Sequence, residues 1–369
     1  MPHVPPPGAW STATPAEAGM RADALAAAER FALAAETPWP VELGAGLAAD
    51  PDSNEPPPWN EVLGPTRDRG GPNGLVVRGG RVVASWGDPS RVDMTFSVTK
   101  SYLAVVAGIA VGDGLIRDLD DPVRDYALDD GFESAQNRDV TWRHLLQQTS
   151  EWEGTLFGKP DLIDRNRQVG PGSDNSRKGT HRDLQPPGRF WEYNDVRVNR
   201  LSLSLLQVFR RPLPEVLRER VMDPIGASAT WEWHPYRNAW VDIDGVSLPS
   251  VPGGAHWGGG LFISSEDHAR VGLLVQRGGR WGDRQVLPEG WCEEMFRACP
   301  INARYGLLWW LNTGRRHYPS APATSAFAIG AGQSMIWVDA ALDLTMVARW
   351  VDPARADALV AHVMRAFEP

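Results

Sequence analysis

The sequence predicts an α+β fold, in which one antiparallel sheet is flanked by N- and C-terminal helices and joined to a mostly helical lobe. Three observations predict it: an early pair of β-prone runs around two glycines, a middle with helical spacing of apolar residues, and a late series of β-like segments. The simplest assembly places the early pair beside the late segments in one sheet. The cleft between the two lobes is then the natural pocket.

The first predicted element is a helix. Thr14 followed by Pro15 is typical of a helix N-terminus, and the alanine-rich stretch continues to about Glu36. Residues 51–72 are rich in Pro, Gly, Asn and Asp, so they are predicted to form a loop.

A β-hairpin is predicted next. Gly74–Arg78 and Arg81–Trp86 are short β-prone runs, and the Gly79-Gly80 pair between them favours a tight turn. Residues 10–96, together with residues 255–369, are accordingly predicted to form a discontinuous sheet lobe.

Residues 97–254 are predicted to form the mostly helical lobe. Apolar residues recur at helical spacing in four segments, which are Ser97–Val111, Thr141–Gln148, Asn194–Phe209 and Pro214–Val221. Residues 153–190 are polar and have no clear period. A loop of that length inside a compact domain is usually functional or mobile, so this one is predicted to border the active site.

Strands are predicted again after Leu261. The β-like segments are Tyr305–Leu311, Ser325–Ile329, Gln333–Asp339 and Leu344–Trp350. Asp352–Phe367 is predicted to close the chain as a helix.

Composition excludes several classes of protein. The net charge of −9 and the lack of a basic stripe argue against nucleic-acid binding. No apolar run reaches the roughly 18–20 residues of a membrane helix. The N-terminus has no basic start followed by an apolar stretch, so a cytoplasmic location is expected. The sequence does not indicate an oligomeric state.

No metal or organic cofactor is expected. The eight histidines are scattered without metal-ligand spacing. Cys292 and Cys299 form neither a disulfide framework nor a metal motif, and two packing thiols in a reducing compartment are the favoured interpretation.

Lysine is rare in this chain. Only Lys100, Lys159 and Lys178 occur, whereas the other 34 of the 37 basic residues are arginines. A lysine in an apolar setting can lose its proton, which an arginine cannot do. A GC-rich genome also produces such a bias.

The tetrad that begins at Ser97 and ends at Lys100 is the strongest candidate for chemistry. If a helix begins near Ser97, the two side chains lie on the same face, one turn apart. Lysine can take the serine proton if burial lowers its pKa, and the apolar residues 101–107 are expected to supply that burial. The helix N-terminus favours negative charge beside Ser97. The alternative is an exposed lysine in a first helical turn, and a lone Ser-x-x-Lys match is weak.

A family resemblance strengthens this interpretation. The run Thr95–Ser101 resembles the active-site start of the serine β-lactamase and penicillin-binding protein superfamily. The most similar branch is the class C β-lactamase-like hydrolases, which include family VIII carboxylesterases and 6-aminohexanoate-dimer hydrolases. Three further landmarks follow in the same order as in the family. They are Val140–Ser150, Pro187–Asn194 and Gly258–Asp267. The resemblance spans roughly residues 75–350 and implies the family's two-lobed fold.

The resemblance implies a role for Tyr193. This residue would stand opposite Lys100, share the proton network with Ser97 and pass a proton to the leaving group. A buried core tyrosine is the alternative. The family usually has asparagine two positions after this tyrosine, where this chain has Asp195, and its asparagine comes one position earlier, at Asn194. Either residue is a candidate for binding substrate or orienting Lys100.

A third landmark of the family is a Lys-Thr-Gly or His-x-Gly strand. Here the matching run is Gly330-Ala331-Gly332-Gln333, which has no lysine. Its small residues would let substrate lie against the strand edge, and the backbone N–H groups of Gln333 and Ser97 would form the oxyanion hole. A plain glycine turn is the alternative. The missing lysine argues against strong binding of carboxylated β-lactams or D-Ala-D-Ala ends.

Three further residues are candidates for the substrate pocket. Trp152 and Glu153 border the polar loop, and Trp257 adjoins the glycine run. Tryptophan is more often largely buried, so a core role is the alternative. His144 is expected to be structural rather than a general base.

The resulting prediction is a serine hydrolase that cleaves a small ester or amide through an acyl-enzyme on Ser97. An ester is slightly favoured because it has the less demanding leaving group. Amidase activity of the 6-aminohexanoate-oligomer type, β-lactamase or D-aminopeptidase-like activity and transacylation stay open. A non-catalytic ligand-binding relative and a Ser-His-Asp hydrolase are the alternatives from other classes.

Overall fold

The computed structural model of the chain describes residues 2–49, 55–170 and 172–368. Residues 51–54 of the predicted loop, Pro171 of the long loop and Pro369 of the sheet lobe lie outside the described residues. The helices are α1 Ala22–Ala34, α2 Leu43–Ala49, α3 Val98–Gly112, α4 Trp142–Leu146, α5 Asp195–Phe209, α6 Leu213–Leu217, α7 Ser265–Gln276, α8 Trp291–Met295 and α9 Ala356–Met364. Within the described residues, no helix is both long enough and apolar enough to cross a membrane.

The strands form one large sheet and several small ones. Their bounds are β1 Asn73–Arg78, β2 Arg81–Trp86, β3 Asp93–Met94, β4 Thr155–Leu156, β5 Lys159–Pro160, β6 Glu232–His234, β7 Trp240–Ile243, β8 Val246–Pro249, β9 Gly260–Ile263, β10 Arg280–Trp281, β11 Arg284–Gln285, β12 Trp310–Leu311, β13 Ala326–Gly330, β14 Ser334–Asp339 and β15 Leu344–Arg349. The large sheet has the order β12-β13-β14-β15-β1-β2, and its neighbours are antiparallel.

The early hairpin lies beside the late strands, as the sequence predicts. Strand β1 pairs with β15, and Leu75 stands opposite Val347. Both faces of this sheet are buried. Leu75 and Val77 contact the core that includes α3 and α7, whereas Val76 contacts the core under α1 and α9. Because side chains alternate along a strand, one run of apolar residues serves two cores.

One predicted strand is much shorter in the structure than the sequence predicts. The segment Tyr305–Leu311 is a strand only at β12. Leu308 has a positive φ of 57°, its N–H donates to Leu146 O, and its carbonyl accepts the Ser101 hydroxyl. Contacts to α3 and α4 therefore replace strand pairing at that point.

The first helix begins later than the sequence predicts. The backbone N–H and hydroxyl of Thr14 both donate to the Glu17 carboxylate, which closes a local turn. Gly19 then adopts a φ of 64°, which is outside the helical region, and α1 begins after Arg21.

The helical segments place the landmarks of the sequence. Helix α3 is buried from Val98 to Ala110, as expected for a helix that is apolar on every side. Thr141 caps α4 by accepting the His144 N–H, and the His144 ring accepts the Thr141 N–H in return. This pairing supports a structural role for His144.

The predicted helix Pro214–Val221 comprises α6 and a wider helical turn, Arg218–Met222. The long loop contains the small β4–β5 hairpin and a 3₁₀ turn, Asp161–Asp164. The division into lobes at residues 96/97 and 254/255 stays a prediction.

Candidate active site

Ser97 and Lys100 lie together at the start of α3. Ser97 immediately precedes the helix, and the Lys100 ammonium donates a hydrogen bond to the Ser97 hydroxyl oxygen at 2.8 Å. The Lys100 side chain is 1% exposed. The one-turn spacing that the sequence predicts is thus present, and the lysine is buried.

Asp195 changes the charge state that burial alone would give Lys100. Burial disfavours the ammonium, but the Asp195 carboxylate is in direct contact with it and Tyr193 is nearby. Their combined effect outweighs burial, and the pKa of Lys100 lies above its ordinary value. Burial does act to lower the pKa of Lys100, as the sequence predicts, but the buried carboxylate, which the sequence did not reveal, reverses the net direction.

Asp195 is held between two cations. One carboxylate oxygen contacts Lys100, and the other accepts from Arg167 at 2.8 Å. Burial would raise the pKa of Asp195, but these two cations hold it well below its ordinary value. Arg167 also pairs with Asp164 at 3.4 Å, and Asp164 accepts the Asp195 backbone N–H at 2.8 Å.

The side chain of Asn194 hydrogen-bonds backbone groups instead of Lys100. Its side-chain oxygen accepts the N–H groups of Val196 and Arg197, so it caps α5. Its amide nitrogen donates to Asp161 O at 2.9 Å. The residue that contacts Lys100 is therefore Asp195, and the side chain of Asn194 is committed to the backbone.

Tyr193 lies against Lys100 with its ring. The ammonium is 4.5 Å from the ring centroid, and the ring stacks on Trp310 with centroids 5.8 Å apart. Two landmark segments of the sequence meet here, because Gln148 accepts the Asn194 N–H through its side chain at 2.8 Å. The structure thus brings Ser97, Lys100 and Tyr193 into one site.

Gly254 is a residue that sequence reasoning missed. A Cβ atom at this position would overlap the Asp195 carboxylate and lie 2.8 Å from the Lys100 nitrogen. Only glycine leaves room for this ion pair. The Gly253-Gly254 pair is visible in the sequence, but its partner could not be identified without coordinates.

The predicted oxyanion run begins with a close approach to Ser97. A Cβ atom at Gly330 would overlap the Thr95 carbonyl and lie 3.0 Å from the Ser97 nitrogen. Ala331, Gly332 and Gln333 then form a tight turn with positive φ at the last two residues.

The Gln333 side chain in that turn donates to the Tyr318 hydroxyl, away from Ser97. The residue of this run that lies close to Ser97 is thus Gly330. The assignment of the oxyanion donor to the Gln333 N–H stays a prediction.

A second buried cluster adjoins Asp195. The Glu55 carboxylate accepts from His256 at 2.7 Å, Trp257 at 2.6 Å and Lys178 at 2.6 Å. Burial would raise the pKa of Glu55, but His256 and Lys178 lower it from 4.5 to about 2. The other His256 ring nitrogen is 3.7 Å from Asp195, so charged and polar groups continue from Ser97 to Lys178.

This cluster contains the group most similar to a metal site in the described part of the chain. Single ligand atoms of Glu55, Asp164 and His256 lie within 4.8 Å of one another. The Lys178 ammonium lies 2.6 Å from Glu55 and 3.6 Å from Asp164. The Lys178 side chain therefore already supplies the positive charge that a metal ion would bring to these ligand atoms.

Two of the three predicted pocket residues are buried against protein partners, and the third, Glu153, is exposed. Trp152 is 3% exposed and donates to Gly131 O at 2.7 Å, and Trp257 is 2% exposed and donates to Glu55. Glu153 pairs with Arg165 at 3.2 Å. These contacts favour a structural role, and substrate binding by these residues stays a prediction.

A cavity of about 440 Å³ lies next to Tyr193. Its walls include Arg167, Arg177, Phe190, Trp191, Arg304 and Trp310. It adjoins the site because Trp310 stacks on Tyr193 and Arg167 pairs with Asp195. Residues of the long loop therefore line a cavity that adjoins Tyr193 and Asp195.

Comparisons with known proteins identify the family and the fold. The sequence profile of the family described as Beta-lactamase matches residues 60–358. No curated protein matches the chain.

Solved structures with the same fold include a protein described as a 6-aminohexanoate-dimer hydrolase from Bacillus anthracis, at 16% identity and a TM-score of 0.56, with 80% of this chain and 78% of that chain covered. EstCE1, described as a hydrolase with promiscuous acyltransferase activity, has 16% identity and a TM-score of 0.58, and the match covers 96% and 99%. A D-stereospecific amidohydrolase from Streptomyces sp. has 17% identity and a TM-score of 0.52, and the match covers 90% and 98%. The predicted two-lobed β-lactamase-like α+β fold is confirmed.

Proposed function

Because the chain belongs to the beta-lactamase family, we propose that it is a serine hydrolase that cleaves a small ester or amide through an acyl-enzyme on Ser97. The observation that carries this proposal is the 2.8 Å hydrogen bond between Lys100 and Ser97 at the buried start of α3. A serine hydroxyl is a weak nucleophile until a neighbouring group manages its proton.

Proton transfer is assigned to Lys100 and Tyr193 as a pair. At rest Lys100 is an ammonium, because Asp195 contacts it. The site becomes competent when the pair loses one proton. The pair then takes the Ser97 proton as the hydroxyl oxygen attacks the carbonyl carbon, and the Tyr193 hydroxyl passes a proton to the leaving alcohol or amine.

The oxyanion is stabilised by backbone N–H groups. The Ser97 N–H lies at the N-terminus of α3, where the helix dipole favours negative charge. The second donor is assigned to the turn that follows Gly330, with Gln333 as the predicted residue. The contact of Gly330 with the Ser97 region supports a donor from this turn.

Water completes the cycle. It attacks the acyl carbon as its proton passes to the Lys100–Tyr193 pair, the bond to Ser97 breaks as the pair returns that proton to the Ser97 oxygen, and the carboxylic acid leaves. An alcohol in place of water would give acyl transfer, an activity that belongs by name to one structural relative, EstCE1. Ester and amide substrates both fit this chemistry.

The cytoplasmic location of the protein stays a prediction.

The Ser-His-Asp alternative is disfavoured by contact geometry. Among the described residues, the side chain that hydrogen-bonds the Ser97 hydroxyl is Lys100. The nearby His268 is engaged by Thr95 at 2.7 Å and by Tyr102 at 2.8 Å. A histidine held in this way is not free to act as the base.

Intact-mass spectrometry after incubation with esters, amides and lactams tests the proposal. We expect a mass increase on Ser97 and labelling of the same residue by a fluorophosphonate. Ser97→Ala should abolish both, whereas Ser90→Ala, which changes an exposed serine, should keep both. An unlabelled wild-type protein without turnover would favour the non-catalytic binder. Labelling that persists in Ser97→Ala would overturn the assignment of the nucleophile.

A further inference from the structure

We propose that the cavity beside Tyr193 binds an anionic group of the substrate, a carboxylate carried on an apolar or aromatic arm. This inference rests on the proposed hydrolase function and names the substrate class of the same site. The cavity has a volume of about 440 Å³, and both charged and aromatic side chains line it. That volume is in the range of small-molecule sites.

Most charges at the inner wall are already neutralised. Arg167 pairs with Asp195 at 2.8 Å. Glu192 pairs with Arg182 at 2.7 Å and Arg197 at 3.2 Å, and it also accepts a backbone N–H at 2.7 Å. These groups balance one another and offer little net charge to a ligand.

The rim has a different balance. Arg177 and Arg304 are exposed, and neither forms an ion pair or a side-chain hydrogen bond with another described residue. The remaining acid, Asp174, accepts the Ser176 backbone N–H at 2.9 Å. The rim thus holds two guanidinium groups and one carboxylate. Its charge is positive, although the net charge of the whole chain is −9. A guanidinium binds carboxylates through paired N–H donors.

Aromatic rings connect the rim to Tyr193. Trp310 stacks on Tyr193, and Trp191 meets Trp310 edge-on with centroids 6.0 Å apart. Phe190, which is 38% exposed, adds apolar surface to the same cavity. A ligand that reaches from Ser97 to the rim would place apolar atoms along these rings and its anion at the arginines.

This subsite would compensate for a feature that the sequence lacks. The run Gly330–Gln333 has no lysine to hold a substrate carboxylate beside the strand. The cavity offers positive charge at another place, on the loop residue Arg177 and on Arg304 before β12. A carboxylate would then be selected farther from the scissile bond.

Matched ester pairs test the proposal on both sides of the scissile bond. The leaving-group pair is 4-acetoxybenzoate and its methyl ester, and the acyl pair is 4-nitrophenyl hydrogen suberate and 4-nitrophenyl octanoate. Each kcat/KM is divided by the alkaline hydrolysis rate of the same ester. We expect the charged member of at least one pair to be favoured by about fivefold at low salt, with the preference falling as salt is added.

The double variant Arg177→Gln/Arg304→Gln should lower that charged-to-neutral ratio about fivefold. The control Arg284→Gln removes an exposed arginine of β11, outside the cavity, and should keep the ratio. A charged-to-neutral ratio near one for both pairs in the wild type would overturn the subsite. A preference that survives the double variant would overturn it as well.

A binding measurement separates this inference from the proposed function. Calorimetric titration of the Ser97→Ala protein with each charged ester, 4-acetoxybenzoate and 4-nitrophenyl hydrogen suberate, requires no turnover. Binding that disappears when Arg177→Gln and Arg304→Gln are added supports the anion site, even if no ester acylates the wild type. Absence of binding of both charged esters to Ser97→Ala overturns it, even if neutral esters are hydrolysed.

Discussion

Two groups of charged residues near Tyr193 are held in opposite ways. Lys100 and Asp195 are buried, and each contacts an opposite charge. Arg177 and Arg304 are exposed, and neither has an ion-pair partner among the described residues. A buried charge is costly unless it is paired, whereas an exposed one is solvated. We therefore expect changes in the buried group to affect chemistry and folding, and changes at the rim to affect the choice of ligand.

The largest expected effect comes from Lys100. Lys100→Ala should lower the rate of acylation about 10³-fold, because Ser97 loses the group that manages its proton. Lys100→Arg keeps a positive charge that cannot be released, so it should be impaired as well. Single-turnover kinetics with a nitrophenyl ester measures both. Near-normal acylation by Lys100→Arg would show that the charge alone matters.

The glycine that accommodates the buried pair should have the next largest effect. Gly254→Ala places a methyl group against Asp195 and Lys100, so kcat/KM should fall about 10²-fold as the lysine shifts. Gly71→Ala is the matched control, because a Cβ atom there meets nothing within 4 Å. Equal activity of the two variants would contradict the tight packing of this pair.

Acid should expose the contribution of Glu55 to stability. Its pKa is about 2 in the folded chain against an ordinary 4.5, so its contribution is complete above pH 4.5 and is lost as the pH falls towards 2. The loss should be about 3 kcal/mol at most. Urea unfolding at several pH values measures it. Glu55→Gln should lack this part of the acid dependence, and an unchanged dependence would contradict the pairing.

Asp195 should set the pH range of activity. Its charge keeps the pKa of Lys100 above the ordinary value, so activity should rise with pH as the pair loses its proton. Asp195→Asn removes that charge, and the rising limb of kcat/KM should move to lower pH by at least about one unit. Asp183→Asn, at an exposed aspartate, should leave the limb in place. If the rising limb of kcat/KM does not move in Asp195→Asn, Asp195 does not set the pH range of activity.

Much of the site was predictable from local sequence. The Ser97–Lys100 contact follows from one helical turn, and the hairpin β1–β2 follows from β-prone runs around two glycines. The position of Tyr193 required the family resemblance, since a tyrosine before a helix is by itself ambiguous. The alternation of Leu75, Val76 and Val77 between two cores was implicit in an uninterrupted apolar run.

The charge state of the site was not predictable in this way. Asp195 lies 95 positions from Lys100, and its contact depends on the packing of α5 beside α3. Arg167 and Gly254 were hidden for the same reason, because both are far from Lys100 along the chain. The pattern also predicted too long a strand over Tyr305–Leu311, because the carbonyl of Leu308 accepts the Ser101 hydroxyl of α3 and only Trp310–Leu311 pairs as a strand.

The sequence by itself thus determined the fold class, the order of the landmarks and the pairing of serine with lysine, since each depends on residues close along the chain. Only the tertiary structure decided that this lysine is held as a cation and that two arginines of the cavity rim have no ion-pair partner among the described residues. Electrostatic energies depend on distance and burial in space, and neither can be read from separation along the chain.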